Sequence, residues 1–129
     1  MNANMNANMT AKQRGKWGEE IALEYLNKKG YTTVTTGFRS RFGEIDIIVK
    51  NKEFLVFAEV KTRKNTNFAY AREYVSKDKQ RKIISTANYW LAKRPTELQP
   101  RFDVIEIYAK HGEQTIEPEI VHIEDAFQV

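Results

Sequence analysis

The chain has 129 residues and a net charge of +4, from 21 Lys and Arg against 17 Asp and Glu, enough for one domain around one core. With no cysteine and only two histidines, His111 and His122, it excludes a disulfide framework, a thiolate metal site, a Cys nucleophile, a His-rich zinc centre and a Ser-His-Asp triad in the body of the chain. No apolar run approaches the roughly 20 residues of a membrane span and no signal-peptide layout opens the chain, so a soluble, cytoplasmic protein is expected.

Residues 1–9 duplicate Met-Asn-Ala-Asn, and residues 1–10 are expected to form a disordered tail ahead of a single domain over 11–129. Thr10 is the candidate cap of a helix running to about Lys29, with Trp17, Ile21 and Tyr25 as its stripe and Ala22 and Leu26 beside them. Gly15 and Gly18 are unusual inside a helix, where each costs about 1 kcal/mol relative to Ala. Either the helix starts near Gly18 or something packs close there.

Strands are expected over Tyr31 to Thr36, Glu44 to Lys50 and Glu53 to Lys61, with Asn51-Lys52 as a tight turn. The third is apolar on both faces, which suits the middle of a covered sheet. Thr62 to Tyr70 reads as a loop. Ser76 caps a second helix to about Ala92, with Ile83, Ile84, Ala87, Trp90 and Leu91 as its apolar stripe. Pro95 and Pro100 bracket a linker, Phe102 to Tyr108 alternates as a strand, Gly112 marks a turn, and Ile116 to Ile123 is weakly strand-like. The resulting class is α/β, a mixed central sheet flanked by helices in the order α-β-β-β-α-β, with a further strand at the end.

The charge is unevenly placed. Residues 1–101 carry 20 basic and 10 acidic side chains, and residues 102–129 carry one basic and seven acidic. A basic body therefore precedes an acidic C-terminal segment, and polyanions suit the body. Residues two apart on a strand share a face. Glu44 and Asp46 thus share one face, Glu59 and Lys61 share another, and a hairpin about Asn51-Lys52 sets Asp46 near residue 57 and close to Glu59. Carboxylates in an apolar sheet cost several kcal/mol unless paired or metal-bound. Their mutual repulsion is relieved by a divalent cation, and oxygen ligands suit Mg²⁺ or Mn²⁺. Such a cation activates water and steadies a leaving oxygen, while Lys61 orients the attacking water. An ordinary Glu-x-Lys ion pair is the alternative.

Asp46 with Glu59-Val60-Lys61 resembles the PD-(D/E)xK signature of the restriction-endonuclease-like superfamily. The wider pattern resembles its YraN-type branch of predicted endonucleases. The matching pieces are Gly15-Lys16-Trp17-Gly18-Glu19, Gly43-Glu44-Ile45-Asp46, Phe57-Ala58-Glu59-Val60-Lys61-Thr62-Arg63, Phe68, Val75, Lys79-Gln80-Arg81, Arg101-Phe102-Asp103-Val104 and His122-Ile123-Glu124-Asp125-Ala126-Phe127. Ile45 replaces the Pro of the signature, and Ala69 stands where the branch has Gly. The resemblance implies a restriction-endonuclease-like fold. It implies a metal, Mg²⁺ or Mn²⁺, at Asp46, Glu59 and the Val60 carbonyl, with Glu19 as a further metal-side carboxylate. It implies Lys61 as the catalytic lysine and Gln80 as an additional polar residue of the site. Glu44 either assists the metal or pairs with Arg39 or Arg41.

DNA is the expected partner. Arg39, Arg41, Arg63, Lys64, Lys77, Lys79, Arg81 and Lys82 surround the carboxylates in sequence and are candidates for phosphate contacts. The leading expectation is a metal-dependent endonuclease cutting DNA, branched DNA included, with a homodimer needed to cut two strands. The rivals are a non-catalytic nucleic-acid-binding module on a nuclease scaffold and an accessory protein docking through the acidic segment. His111 and His122 are expected to be structural or exposed, and Trp17, Trp90 and Phe102 to be core.

Overall fold

In the first helix the Thr10 hydroxyl accepts from the Gln13 N–H (3.1 Å), and the Gln13 side-chain Oε1 accepts from the Thr10 N–H (2.8 Å). That reciprocal cap starts α1 (Ala11–Lys28). The computed structural model describes residues 10–64 and 75–129. The duplicated segment 1–9, Phe68 and Ala69 lie outside the described residues. The remaining elements are β1 (Thr32–Ser40), β2 (Gly43–Lys50), β3 (Phe54–Arg63), α2 (Lys77–Lys93), β4 (Gln99–Tyr108), a 3-10 turn (Gly112–Gln114) and β5 (Glu119–Phe127). They form one five-stranded sheet in the order β1-β2-β3-β4-β5, antiparallel except for the parallel β3–β4 pair.

β3 is the middle strand, as its two apolar faces require. Leu55 and Phe57 join the core under α2, with Ile83, Ala87, Trp90, Phe102 and Phe127. Val56 and Ala58 join the core under α1, with Ala22, Leu26, Ile105 and Ile107. The Ser76 hydroxyl caps α2 by accepting from the Lys79 N–H at 3.1 Å. On α1 the buried line is Gly18, Ala22 and Leu26, while Trp17, Ile21 and Tyr25 flank it half-buried. Gly18 is where α1 crosses β3: a Cβ there would collide with the Thr62 hydroxyl, whereas one on Gly15 would meet nothing. Close packing, not a late helix start, explains Gly18.

Several boundaries move. β1 continues to Ser40 because Phe38, Arg39 and Ser40 pair with Ile45, Glu44 and Gly43. The β2–β3 turn is wider than two residues. Asn51 Oδ1 accepts from the N–H groups of Glu53 (2.9 Å) and Phe54 (2.7 Å), and Lys50 pairs with Leu55. Pro100 is not in a linker but is the second residue of β4, a strand-start position that proline tolerates. β5 is longer and later than expected. The acidic C-terminal segment is built into the sheet: it supplies most of β4 and all of β5, and Asp103 and Glu106 are fully buried. Asp103 accepts from Arg101 at 2.8 and 2.7 Å and from the Asp125 N–H at 3.0 Å, and the His122 Nε2 lies 2.7 Å away. His122 is thus structural. His111 is exposed.

Candidate active site

Ile45 and Ile47 are two apart on β2, and regular alternation puts them on one face. Instead Ile45 packs into the core under α2 and Ile47 into the core under α1. β2 therefore bends at Asp46, just where its ladder with β3 ends at Ile47–Ala58. The bend brings the Asp46 carboxylate to the adjacent backbone: its Oδ2 accepts from the Val60 N–H at 2.8 Å.

Glu59 and Lys61 lie on β3 on the face toward α2. Glu59 is only 5% exposed. Two ammonium groups neutralise its Oε2, Lys61 Nζ at 3.3 Å and Lys79 Nζ, from the first turn of α2, at 2.6 Å. Burial and then the charge of Glu59 push the Asp46 carboxyl up to about 8, with Glu19 adding to the effect and the Val60 N–H opposing it. Glu19 is raised by its burial and then by Glu44 and Glu59. Lys61 is lowered, first by burial and then by Lys79, with Glu59 opposing. Burial also pulls Lys79 down, but its hydrogen bond and charge interaction with Glu59 outweigh that and hold it above its ordinary value. Two carboxylates repel across this end of the sheet while two lysines compete for one of them.

Asp46, Glu59, Val60, Lys61, Lys79 and Glu19 line one cavity of about 350 Å³. Asp46, Glu59 and Lys79 also line a second, of about 420 Å³, with Glu44, Asp78 and Lys82. Lys79 stands between the two spaces. As a cation site the donor set is all oxygen and carries repulsion that a cation would relieve, so its chemistry fits Mg²⁺ or Mn²⁺. Among the described residues, no group of three or more His, Asp or Glu side chains is gathered closely enough to hold a metal. Glu19 lines the cavity without closing such a group. Any cation here has two side-chain carboxylates and needs main-chain or solvent oxygen, a pattern Mg²⁺ accepts.

The other expected residues are spread more widely. Gln80 does not line either cavity; its Nε2 donates to the Val75 carbonyl at 2.9 Å, and Lys79, one residue earlier, takes the inward position. Glu44 pairs with Arg39 at 2.7 Å on the surface. Arg41 lies over the Phe42 ring. Arg81 and Lys82 pair with Asp78 at 3.6 and 3.3 Å, and Lys77 is exposed. Arg63 ends β3 and Lys64 lines the cavity mouth. At the far end of α2, Arg94 covers Trp90 and Lys93 covers Tyr89, away from the carboxylates.

Sequence reasoning missed Lys79 as a partner of Glu59. It also missed Glu106, fully buried and in register with Lys61 on the same face of the sheet. A signal for Glu106 existed: alternation of Phe102, Val104 and Glu106 puts a carboxyl on the core face.

A mixed five-stranded sheet between helices, in this order, is the restriction-endonuclease-like arrangement, a nuclease-type scaffold. The model of the uncharacterised protein family UPF0102 matches residues 18–107, and this chain belongs to that family. It is similar to the UPF0102 protein of Syntrophotalea carbinolica, 41% identical over 116 residues that cover 89% of this chain and 91% of the relative. A UPF0102 protein of Clostridioides difficile is 42% identical over 120 residues, 92% of this chain and all of the relative. One of Caldanaerobacter subterraneus is 43% identical over 114 residues, 88% and 93% of the two chains.

Proposed function

We propose that this protein binds the phosphodiester backbone of DNA at the Asp46–Glu59–Lys61 end of the sheet and hydrolyses it with a divalent cation, Mg²⁺ or Mn²⁺. The observation that carries the reading is the meeting of these three side chains on one cavity, with Asp46 bonded to the main chain of Val60. Asp46 and Glu59 would hold the cation, with the Val60 carbonyl beside them. The cation supplies positive charge for the phosphate oxygens and acidity for water. Lys61, held below its usual range, gives up its own proton more readily than an ordinary lysine and, once neutral, takes one from the attacking water. Water attacks phosphorus, the bond to the leaving sugar oxygen breaks, and that oxygen is protonated from solvent. Lys64, Lys79 and Lys82, at the two cavities, provide charge for the flanking phosphates. Branched DNA belongs among the substrates by analogy of scaffold alone.

A specific observation favours the second reading, a non-catalytic nucleic-acid-binding module on this scaffold. Glu59 is neutralised by two lysines, and the described residues gather no cluster of three metal-ligating side chains. On side chains alone this reading asks for less. It keeps the same basic surroundings and predicts salt-dependent binding without turnover or metal dependence. The experiment that decides is cleavage of duplex, single-stranded and branched DNA with Mg²⁺ or Mn²⁺, wild type against Lys61→Ala and Glu59→Gln. Metal-dependent cutting lost in both variants supports the nuclease. DNA binding with no cutting under any of these conditions, or cutting that survives both substitutions, overturns it.

A further inference from the structure

Beside the carboxylate cavity lies another, of about 370 Å³, with Arg14 of α1, Lys64 past the end of β3, Lys110 and His111 past the end of β4, and Glu113 in its wall. Arg14, Lys64 and Glu113 line both spaces, so the two adjoin as one channel.

The topology explains why these cations meet. β3 and β4 are parallel and stay in register to Arg63–Tyr108, and the Ala109 N–H extends the pairing by donating to the Arg63 carbonyl at 2.7 Å. The two chains therefore leave the sheet side by side at their carboxyl ends, the usual place for ligands beside parallel strands. Lys64 and Lys110 are the first exposed residues past those ends. Gly112, at φ +61°, turns the chain back, and its N–H donates to the Ala109 carbonyl at 3.0 Å. The 3-10 turn that follows packs against α1, the helix that carries Arg14. Among the described residues, three full positive charges from three separate elements face one carboxylate. The channel thus has an acidic half suited to a cation and a basic half suited to an anion.

We propose that the basic half is a subsite for the phosphodiester next to the one at Asp46 and Glu59, on the same nucleic-acid strand. The proposal rests on the reading of the site as one that engages nucleic-acid backbone. Arg14 offers a planar fork of donors and the lysines offer point charges. None of these groups reads a base edge in a fixed geometry, so the subsite positions the strand and is indifferent to sequence.

The test uses the full chain and a labelled single-stranded DNA oligonucleotide, with binding measured by anisotropy in EDTA across a salt series. The variants are Arg14→Ala, Lys64→Ala, Lys110→Ala and the triple variant, each checked for an unchanged melting curve, with Lys28→Ala as a control on the other end of α1. Each single variant is expected to weaken binding about 3- to 10-fold at low salt. The triple variant should flatten the slope of log K against log salt by about 0.7, the value for one phosphate of a single strand. Lys28→Ala should match wild type. A neutral methylphosphonate at one linkage of the oligonucleotide should erase the difference between wild type and the triple variant. The same difference in binding of inorganic phosphate alone, with no linkage dependence in DNA, overturns the proposal in favour of a free-anion site. Unchanged binding in the triple variant overturns it while leaving the nuclease reading to its own assay. Loss in the triple variant together with no cleavage by wild type supports the subsite and refutes only the hydrolysis.

Discussion

Asp46→Asn should stabilise the metal-free protein while abolishing the proposed metal-dependent cleavage. The carboxyl is raised from 3.8 to about 8 by burial and by the neighbouring Glu59. Below pH 3.8 the folded and unfolded states both hold the proton, so the site costs nothing. From there to about pH 8 the folded state favours the proton and the unfolded state does not, so stability falls as pH rises. At pH 7 the gap corresponds to roughly 4 kcal/mol at 1.36 kcal/mol per pKa unit. Asn keeps an oxygen acceptor for the Val60 N–H and removes the charge. We expect a gain of about 2–4 kcal/mol at pH 7 in EDTA, or a rise in Tm on the order of 10 °C. The assay is urea unfolding of wild type and variant at pH 4 and pH 7.5. A gain at pH 7.5 that disappears at pH 4 is the expected result. A loss of stability at pH 7.5, or a gain of equal size at both pH values, refutes the electrostatic account of Asp46.

Lys79→Met removes one of the two ammonium groups on Glu59 and should tighten Mn²⁺ binding on the order of tenfold, about 1.4 kcal/mol, read by calorimetry; weaker binding would show that Lys79 supports the cation site. The two helix glycines should respond in opposite directions to alanine. Gly15→Ala adds a Cβ that meets nothing and should stabilise by up to about 1 kcal/mol, whereas Gly18→Ala drives into Thr62 and should destabilise by about 1–3 kcal/mol, with Thr62→Ala restoring most of the loss. Asp103→Ala strands Arg101 beside His122 and should cost about 3–5 kcal/mol at pH 7 by chemical denaturation. Asp103 is held below its ordinary value: burial raises it, but His122, Arg101 and the Asp125 N–H outweigh that. Its stabilisation is therefore present above the unfolded-state pKa of about 3.8 and lost as pH falls through the lower folded value, so the deficit of the variant should shrink in acid.

The parts of this fold legible in the sequence are those fixed by short-range rules. Thr10 and Ser76 cap their helices because their hydroxyls find backbone N–H groups three residues on. β3 is central because both its faces are apolar. Asp46 and Glu59 converge because a hairpin joins their strands. The wider turn at Asn51 shifts the register by two residues, and a two-residue shift leaves every side chain on its face. What the sequence did not show depends on tertiary geometry. The bend that sends Ile45 and Ile47 to opposite cores has no counterpart in the alternation of Glu44 to Val49. The inward turn of Lys79 and the outward turn of Gln80 depend on how α2 is rotated against β3. The approach of Lys110 to Lys64, 46 positions apart, follows from the parallel pairing of β3 and β4, which no local pattern encodes. The acidic composition of residues 102–129 does not reveal which of its carboxyls are interior; Asp103 and Glu106 carry part of that charge in the core.

The most direct test of the central claim is anomalous scattering from a crystal soaked in Mn²⁺. The account predicts one peak between the Asp46 and Glu59 carboxylates and beside the Val60 carbonyl, with Lys79 moved off Glu59 and Lys61 still at the site. No peak there at saturating Mn²⁺, with Lys79 still seated on Glu59, would contradict it.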